Sequence, residues 1–278
     1  MAISNFIPTI WSETLYEELD NHYIAVAHCN RDFEGEIKNK GSVVKICGVG
    51  NIMVSDYTKN TNMSQPQSLS DTVKTLSIDQ AKYFNFQIDD IDRAQSSPKL
   101  MNAAMKVAAN SLAAAADRFV FDLFVESQNT MSFPEVSVDN IIDCIIDART
   151  RLYQSNVSDA EEVFLEVSPV IASLLLKAKV KLSTDNGETL ERGCIGSIAG
   201  CKVFVSNHIT TADTSDKLIS YCLMRTKRAV AFAEQLSEIE AYRPEMRFSD
   251  AVKGLHLYGA SIVYPEEFLT LEIYTDLV

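Results

Sequence analysis

From Pro98 to about Ser127 the chain runs for thirty residues without a glycine or a further proline. Ser97-Pro98 supplies an N-cap followed by a proline whose fixed φ suits the first helical position. Leu100, Ala104, Ala108, Leu112, Ala115, Phe119 and Leu123 recur at helical spacing, and the alanines between Ala103 and Ala116 favour helix and permit close backbone approach. The pattern predicts one helix over 98–127, about 45 Å long at ~1.5 Å per residue. Ordinary helices run to ~10–14 residues. A rod of this length is a strut, and the rest of the fold has to be arranged around it.

On its N-terminal side, Leu15, Leu19, Tyr23 and Val26 mark a short helix from Ser12 to about Ala27, with Ser12 and Thr14 able to cap it. Residues 42–58 read as β structure broken at Gly50-Asn51. Residues 59–72 hold only Met63 and Leu69 as large apolar groups, which predicts a mobile tip. A second extended run, Val73–Ile88, places Leu76, Ile78, Phe84, Phe86 and Ile88 on alternate positions. Two strands joined by a polar tip make a projecting β-arm.

Beyond a turn at Phe133-Pro134 the pattern alternates. A helix is predicted over Val138–Tyr153, with Ile141, Ile142, Ile145 and Ala148 apolar, then a strand over Glu162–Val167. Ser168-Pro169 opens a helix to about Val180, and TDNGE at 184–188 is a turn. Strands follow at Ala199–Asn207 and Leu218–Met224 with a polar turn between them, then a short helix at Ala229–Leu236. The tail returns to β structure at Ala251–Val263 and, after Pro265, at Leu269–Tyr274. The fold class is α+β.

Charge narrows the function. Twenty-five Lys+Arg against 38 Asp+Glu give a formal net charge of −13, which disfavours a protein built to grip nucleic acid, since phosphate binding needs a surplus of basic side chains. No stretch approaches the ~20 apolar residues of a membrane helix, and the first residues lack the basic and apolar regions of a signal peptide. Synthesis in a cytosol is expected. The cysteines Cys29, Cys47, Cys144, Cys194, Cys201 and Cys222 include no C-x-x-C pair, and read as reduced, structural residues.

Candidate sites are sparse. Asp89, Asp90 and Asp92 form the densest acidic cluster, but carboxylates ahead of a helix also offset its dipole, and no ligand spacing accompanies them. His22, His28, His208 and His256 show no metal-ligand spacing. Gly193, Gly196 and Gly200 match no phosphate-loop pattern and precede a strand. Arg225, Lys227 and Arg228 make the one compact basic cluster, read as a solvated edge or an inter-subunit salt bridge. Lys45, Lys59 and Lys82 have no partner constellation for covalent cross-linking. No catalytic, cofactor-binding or metal residue is assigned.

The order of elements, with NFIPTIWSETL (5–15), NRDFEGEIKNKGSVVKI (30–46), DYTKNT (56–61), TLSIDQAKYFNFQIDDIDRAQ (75–95) and EAYRPEMRFSDAVKGLHLYGASIVYPEEFLTL (240–271), resembles the major capsid protein of tailed bacteriophages, the Hong Kong 97-like fold, in the lineage of short-tailed-phage coat proteins. The resemblance spans essentially the whole chain. It implies an N-terminal arm over residues 1–33 and an extended loop over 34–96 that overlies a neighbour. It further implies a peripheral domain over 97–135 and 245–278 carrying the spine helix 98–127, and an α/β axial domain over 136–244.

By that resemblance the chain is not an enzyme and needs no cofactor. It assembles as pentamers and hexamers into an icosahedral shell in the virion, around packaged double-stranded DNA. Expected partners are a portal protein, a separate scaffolding protein, since the chain starts directly at the arm, and a decoration protein. There is no membrane partner. A cellular nanocompartment shell of the encapsulin type is the alternative within the same fold. From another class stands a small soluble α/β enzyme holding an anionic substrate on the Arg225–Arg228 cluster.

Overall fold

The computed structural model describes residues 15–33, 43–49, 56, 59, 71–89, 100–155, 157, 161–178, 194–214, 216–236, 239–246 and 248–276. The start of the long helix at Ser97-Pro98, most of the second half of the predicted strand 42–58, nearly all of the tip 59–72 and the turn at 184–188 lie outside these residues.

The long helix occupies Leu100–Phe121 and tightens into a 3-10 turn over Asp122–Glu126, where one helix to residue 127 was predicted. Tightening of the last turn is a common helix ending, and here it carries Leu123 into the core. The buried stripe is Met105, Ala109, Leu112, Ala113, Ala116 and Val120, whereas Ala104, Ala108, Ala115 and Phe119 lie on its flank. The predicted face was thus rotated by about one residue. Alanine is too small to say which side of a helix it sits on.

Thirteen strands are described: β1 (Val43–Val49), β2 (Asp71–Ser77), β3 (Gln80–Asp89), β4 (Asn129–Phe133), β5 (Val163–Val167), β6 (Cys194–Ile198), β7 (Cys201–Val205), β8 (Thr211–Thr214), β9 (Lys217–Thr226), β10 (Val230–Leu236), β11 (Glu240–Tyr242), β12 (Ser249–Ile262) and β13 (Phe268–Asp276). The predicted run Val73–Ile88 is two strands in different sheets, split at Ile78-Asp79. β2 pairs with β1 in a two-stranded antiparallel sheet, while β3 runs along β12. Ala229–Leu236 is mainly strand β10 and not a helix. It is buried on both faces, so its apolar run carries no period with which to tell the two apart. Strands β4, β6, β8 and β11 were not predicted. Each is short, and β8 and β11 are almost wholly polar or exposed.

β12 is the axis of a four-stranded sheet. Its first half pairs with β11, its second half with β10, and β3 lies along its other side. The larger sheet has seven strands in the order β4-β13-β9-β5-β7-β6, with β8 hairpinned onto β9. Sheet membership cuts across the chain: β13, from the tail, sits inside the seven-stranded sheet, while β10 and β11 join the four-stranded one.

One face of the seven-stranded sheet presents Leu165, Val203, Met224 and Leu271 to two helices, Ile141–Gln154 and Pro169–Lys177. Ser168 caps the second of these by accepting from the Ile171 N–H, as its Ser-Pro signature predicted. The opposite face presents Phe164, Glu166, Phe204 and Arg225. Against it lies the N-terminal segment: a helix over 15–22, a 3-10 turn at Val26–His28, and a single bridge from Asn30 to Ala231 of β10. Leu15, Leu19, Tyr23 and Val26 are all buried, as their spacing predicted.

The β1–β2 sheet is anchored at its base. Val44, Ile46, Leu76 and Ile78 pack on Ala231, Ala233 and Leu257. Gly259 of β12 makes room for this, because a Cβ there would stand 2.1 Å from the Ser77 carbonyl oxygen.

Candidate functional site

The densest buried chemistry holds the N-terminal segment to the body. Arg225 and Glu166 point from adjacent strands, β9 and β5, to the same face of the seven-stranded sheet. Arg225 Nε donates to Glu166 Oε2 at 3.0 Å and Nη2 to Oε1 at 2.8 Å. The guanidinium's remaining donors go to the segment itself, Nη1 to the His28 carbonyl at 2.8 Å and Nη2 to the Ala25 carbonyl at 2.9 Å. A planar fork that meets a carboxylate on one side and two carbonyls on the other suits arginine and no other side chain.

The other side of the same turn is held by Asp117 of the long helix, which accepts from Ile24 N–H at 2.9 Å and Val26 N–H at 3.0 Å. Burial pushes the Asp117 carboxyl up to about 7, against the pull of those N–H groups. The segment's donors thus meet an aspartate while its acceptors meet an arginine, which satisfies a buried turn that has no ladder of its own.

A third anchor centres on Glu234 of β10. It accepts from Tyr23 Oη at 2.5 Å and Arg31 Nη2 at 2.6 Å and faces His256 Nε2 at 2.8 Å. Burial raises this carboxyl, but His256, Tyr23 and Arg31 outweigh it and hold the group below its ordinary range. Glu166 behaves likewise: burial opposes ionisation, and Arg225 with His28 overcomes it. His28 stacks on Phe164 at 4.3 Å with Nδ1 facing Glu166, and burial lowers its pKa.

The sequence candidates are therefore dispersed. Arg225 is wholly buried, which corrects the solvated-edge reading, while Lys227 is exposed and Arg228 turns outward to pair with Glu267. Strand β9 ends at Thr226, and Lys227 and Arg228 lie in the 3-10 turn Lys227–Ala229 that follows it, so the three basic residues close in sequence do not share one strand face. His22 is exposed beside Glu18, His208 lies in the turn after β7, and His28 and His256 serve different anchors. Gly200 and Ala199 make the β6–β7 turn with positive φ, and Gly196 sits at a bulge in β6; Gly193 lies outside the described residues. Asp89 ends β3 opposite Ser249, and Asp90 and Asp92 are not described. Lys45 and Lys82 are exposed on β1 and β3, and Lys59 is exposed.

Burial pushes the thiols of Cys29 and Cys201 up to about 11 and that of Cys222 up to about 12, which suits inert structural cysteine. Among the described residues no group of three or more His, Cys, Asp or Glu is placed to hold a metal, and no helix is long and apolar enough to cross a membrane. The sequence reading missed Glu166, Asp117 and Glu234. The available signal was a lone acid inside an apolar strand or an alanine-rich helix, a position where a charge must be paired.

This arrangement ties the N-terminal segment to the body of the chain. No family model matches the chain, and no curated protein matches it by sequence. Solved structures do. A structure of Mycobacterium phage Che8 matches with a TM-score of 0.68 and 29% identity, covering 90% of each chain. The capsid of Ralstonia phage GP4 matches at 0.71 with 11% identity, covering 94% of this chain and 91% of the other. A virus-like particle from Pyrococcus furiosus matches at 0.58 with 14% identity, covering 94% and 98%. What these likenesses show is the fold: over most of its length the chain has the α+β fold found in bacteriophage capsids.

Proposed function

We propose that this chain self-assembles as pentamers and hexamers into an icosahedral shell around the double-stranded DNA of a tailed bacteriophage, without catalytic activity. The observation that supports this most is the likeness to the GP4 capsid over more than nine tenths of both chains. Residues 1–33 act as the arm, 34–96 as the extended loop reaching a neighbour, 97–135 with 245–278 as the peripheral domain, and 136–244 as the axial domain. A two-stranded sheet is marginal on its own, so the β1–β2 arm gains by lying on another copy, and many such contacts add through multivalency. A portal, a separate scaffolding protein and a decoration protein complete the particle. The net charge of −13 suits a wall that does not trap its contents.

Expression of the full chain, alone and with the scaffold, followed by negative-stain microscopy tests the proposal. Closed shells hundreds of ångströms across are expected; particles of one to four subunits under both conditions overturn it. The Pyrococcus likeness supports a second reading, a shell around protein cargo. Nuclease-protected DNA in shells from infected cells separates the two. The enzyme reading gains no support from Arg225, which is committed to Glu166 and to the carbonyls of Ala25 and His28.

A further inference from the structure

Strand β3 is an outer strand of the four-stranded sheet: among the described residues it pairs with β12 alone. An open strand edge is a template on which another strand can add, and folded chains blunt such edges with short strands, bulges, prolines or charges. The outer strands β4, β6 and β11 follow that rule, with five, five and three residues and a bulge in β6. β1 and β2 carry Lys45 and Lys74 in mid-strand. β3 has none of these protections beyond Lys82 near its start. It runs for ten residues without proline or glycine, in unbroken register with β12, and its next charge is its last residue, Asp89. Tyr83 is 77% exposed, and Phe84 and Phe86, stacked at 6.0 Å, are covered only in part.

The strand is also complementary to itself. Laid antiparallel about a two-fold axis normal to the sheet, β3 of one copy meets β3 of another with even residues opposite even and odd opposite odd. Side chains that share a face therefore stay together. With Asn85 on the axis, Phe84 lies opposite Phe86, Tyr83 opposite Gln87 and Lys82 opposite Ile88. That register makes cross-strand aromatic pairs on one face and an amide pair on the other, and it opposes no like charges. A two-fold contact is moreover what rings leave unmade. Pentamers and hexamers close by head-to-tail contacts, whereas joining one ring to the next takes an isologous contact.

We propose that the β3 edge is the joint between neighbouring rings of the shell, formed by antiparallel pairing of β3 with β3 of a second copy into one continuous sheet. The inference rests on the shell-forming reading and adds to it which backbone edge joins ring to ring, and in what register.

The test uses the full chain. Native chain that forms no shells sinks the shell reading and the joint with it; the variants bear on the joint alone. Asn85→Lys and Asn85→Glu each set like charges across the axis. Each alone is expected to keep native circular dichroism and to give free rings, with at least about a tenfold loss of shells, because the repulsion repeats over many contacts. Mixing the two variants brings opposite charges together and is expected to form more shells than either alone. Damage to the fold, including loss of the hydrogen bond from Tyr242 Oη to Asn85, is not repaired by mixing. Shells of native yield from both variants, or a mixture no better than either, overturn the proposal. Should either variant fail to fold, Asn85→Cys decides. Directly opposed residues of an antiparallel pair have Cα atoms about 4.5–5.5 Å apart, within disulfide reach. A disulfide-linked dimer on oxidising Asn85→Cys shells, absent from native shells, supports the joint, and its absence sinks it.

Discussion

Arg225 and Glu166 form an ion pair with neither side chain exposed at all, and the same guanidinium holds the carbonyls of Ala25 and His28. Breaking a buried pair leaves an uncompensated charge, which costs about 3–5 kcal/mol. Glu166→Gln is expected to lower stability by that order in urea unfolding. A Glu166→Met, Arg225→Leu double variant is expected to recover only part, because the two carbonyls lose their donor. Full recovery would show that Arg225 does not hold the segment.

The pH behaviour of Glu166 has a definite sign. Its folded pKa lies below the unfolded value, so its contribution is present at neutral pH and is lost as pH falls through the folded pKa. His28 works in the same direction, since its lowered pKa makes stability drain away below about 6.5, its ordinary value. Acid is therefore expected to free the N-terminal segment, and limited proteolysis between residues 15 and 33 from pH 7 downward is the measurement. Constant protection to pH 4 contradicts it.

Asp117 has the opposite sign. A carboxyl raised to about 7 binds a proton in the folded state that the unfolded state releases near its ordinary value of 3.8, so its contribution falls as pH rises across that interval. Asp117→Asn keeps an acceptor for the Ile24 and Val26 N–H groups and removes the titration. The variant is expected to gain on the native chain between pH 5 and pH 8 in melting temperature. A gap that does not change with pH would refute the buried-carboxyl account.

Gly259→Ala sets a methyl group against a backbone carbonyl, which cannot swing aside. A loss of about 1–3 kcal/mol is expected, as for other overpacked sites, with the damage centred on the base of the β1–β2 sheet. Gly254→Ala meets the Phe84 ring instead, a side chain able to turn, and should cost less. Hydrogen exchange at Leu76 and Ile78 reads the difference, and equal protection in both variants would be the wrong outcome.

Ala109 and Ala113 lie against the core with no exposure. Replacing either with leucine is expected to cost about 1–3 kcal/mol by overpacking, while Val107→Leu, on the exposed side, should be close to neutral. Thermal unfolding of the three variants checks which side of the helix faces inward.

The sequence announced what periodicity can announce. Leu15, Leu19, Tyr23 and Val26 located the first helix, Ser168-Pro169 the start of another, and the run around Ala251–Val263 the long strand β12. It failed where period carries no information. β10, apolar on both faces, was read as helix, and the alanines of the long helix concealed which side is buried. The holding site was hidden for another reason. Glu166, Arg225 and Asp117 are far apart in sequence, and only the pairing of β5 with β9 brings the first two together. A charge inside an apolar strand announces that it needs a partner without saying which.

The anchoring of the N-terminal segment also sets an order of events. Tyr23, Ala25, His28 and Arg31 find their partners 211, 200, 197 and 203 residues further along. On the ribosome these residues emerge early and must wait until β9 and β10 have been made. Contacts between such distant positions form late in folding. The segment therefore acts as a completion check: it can seat only on a body that is already whole, and a truncated or misfolded chain keeps it loose.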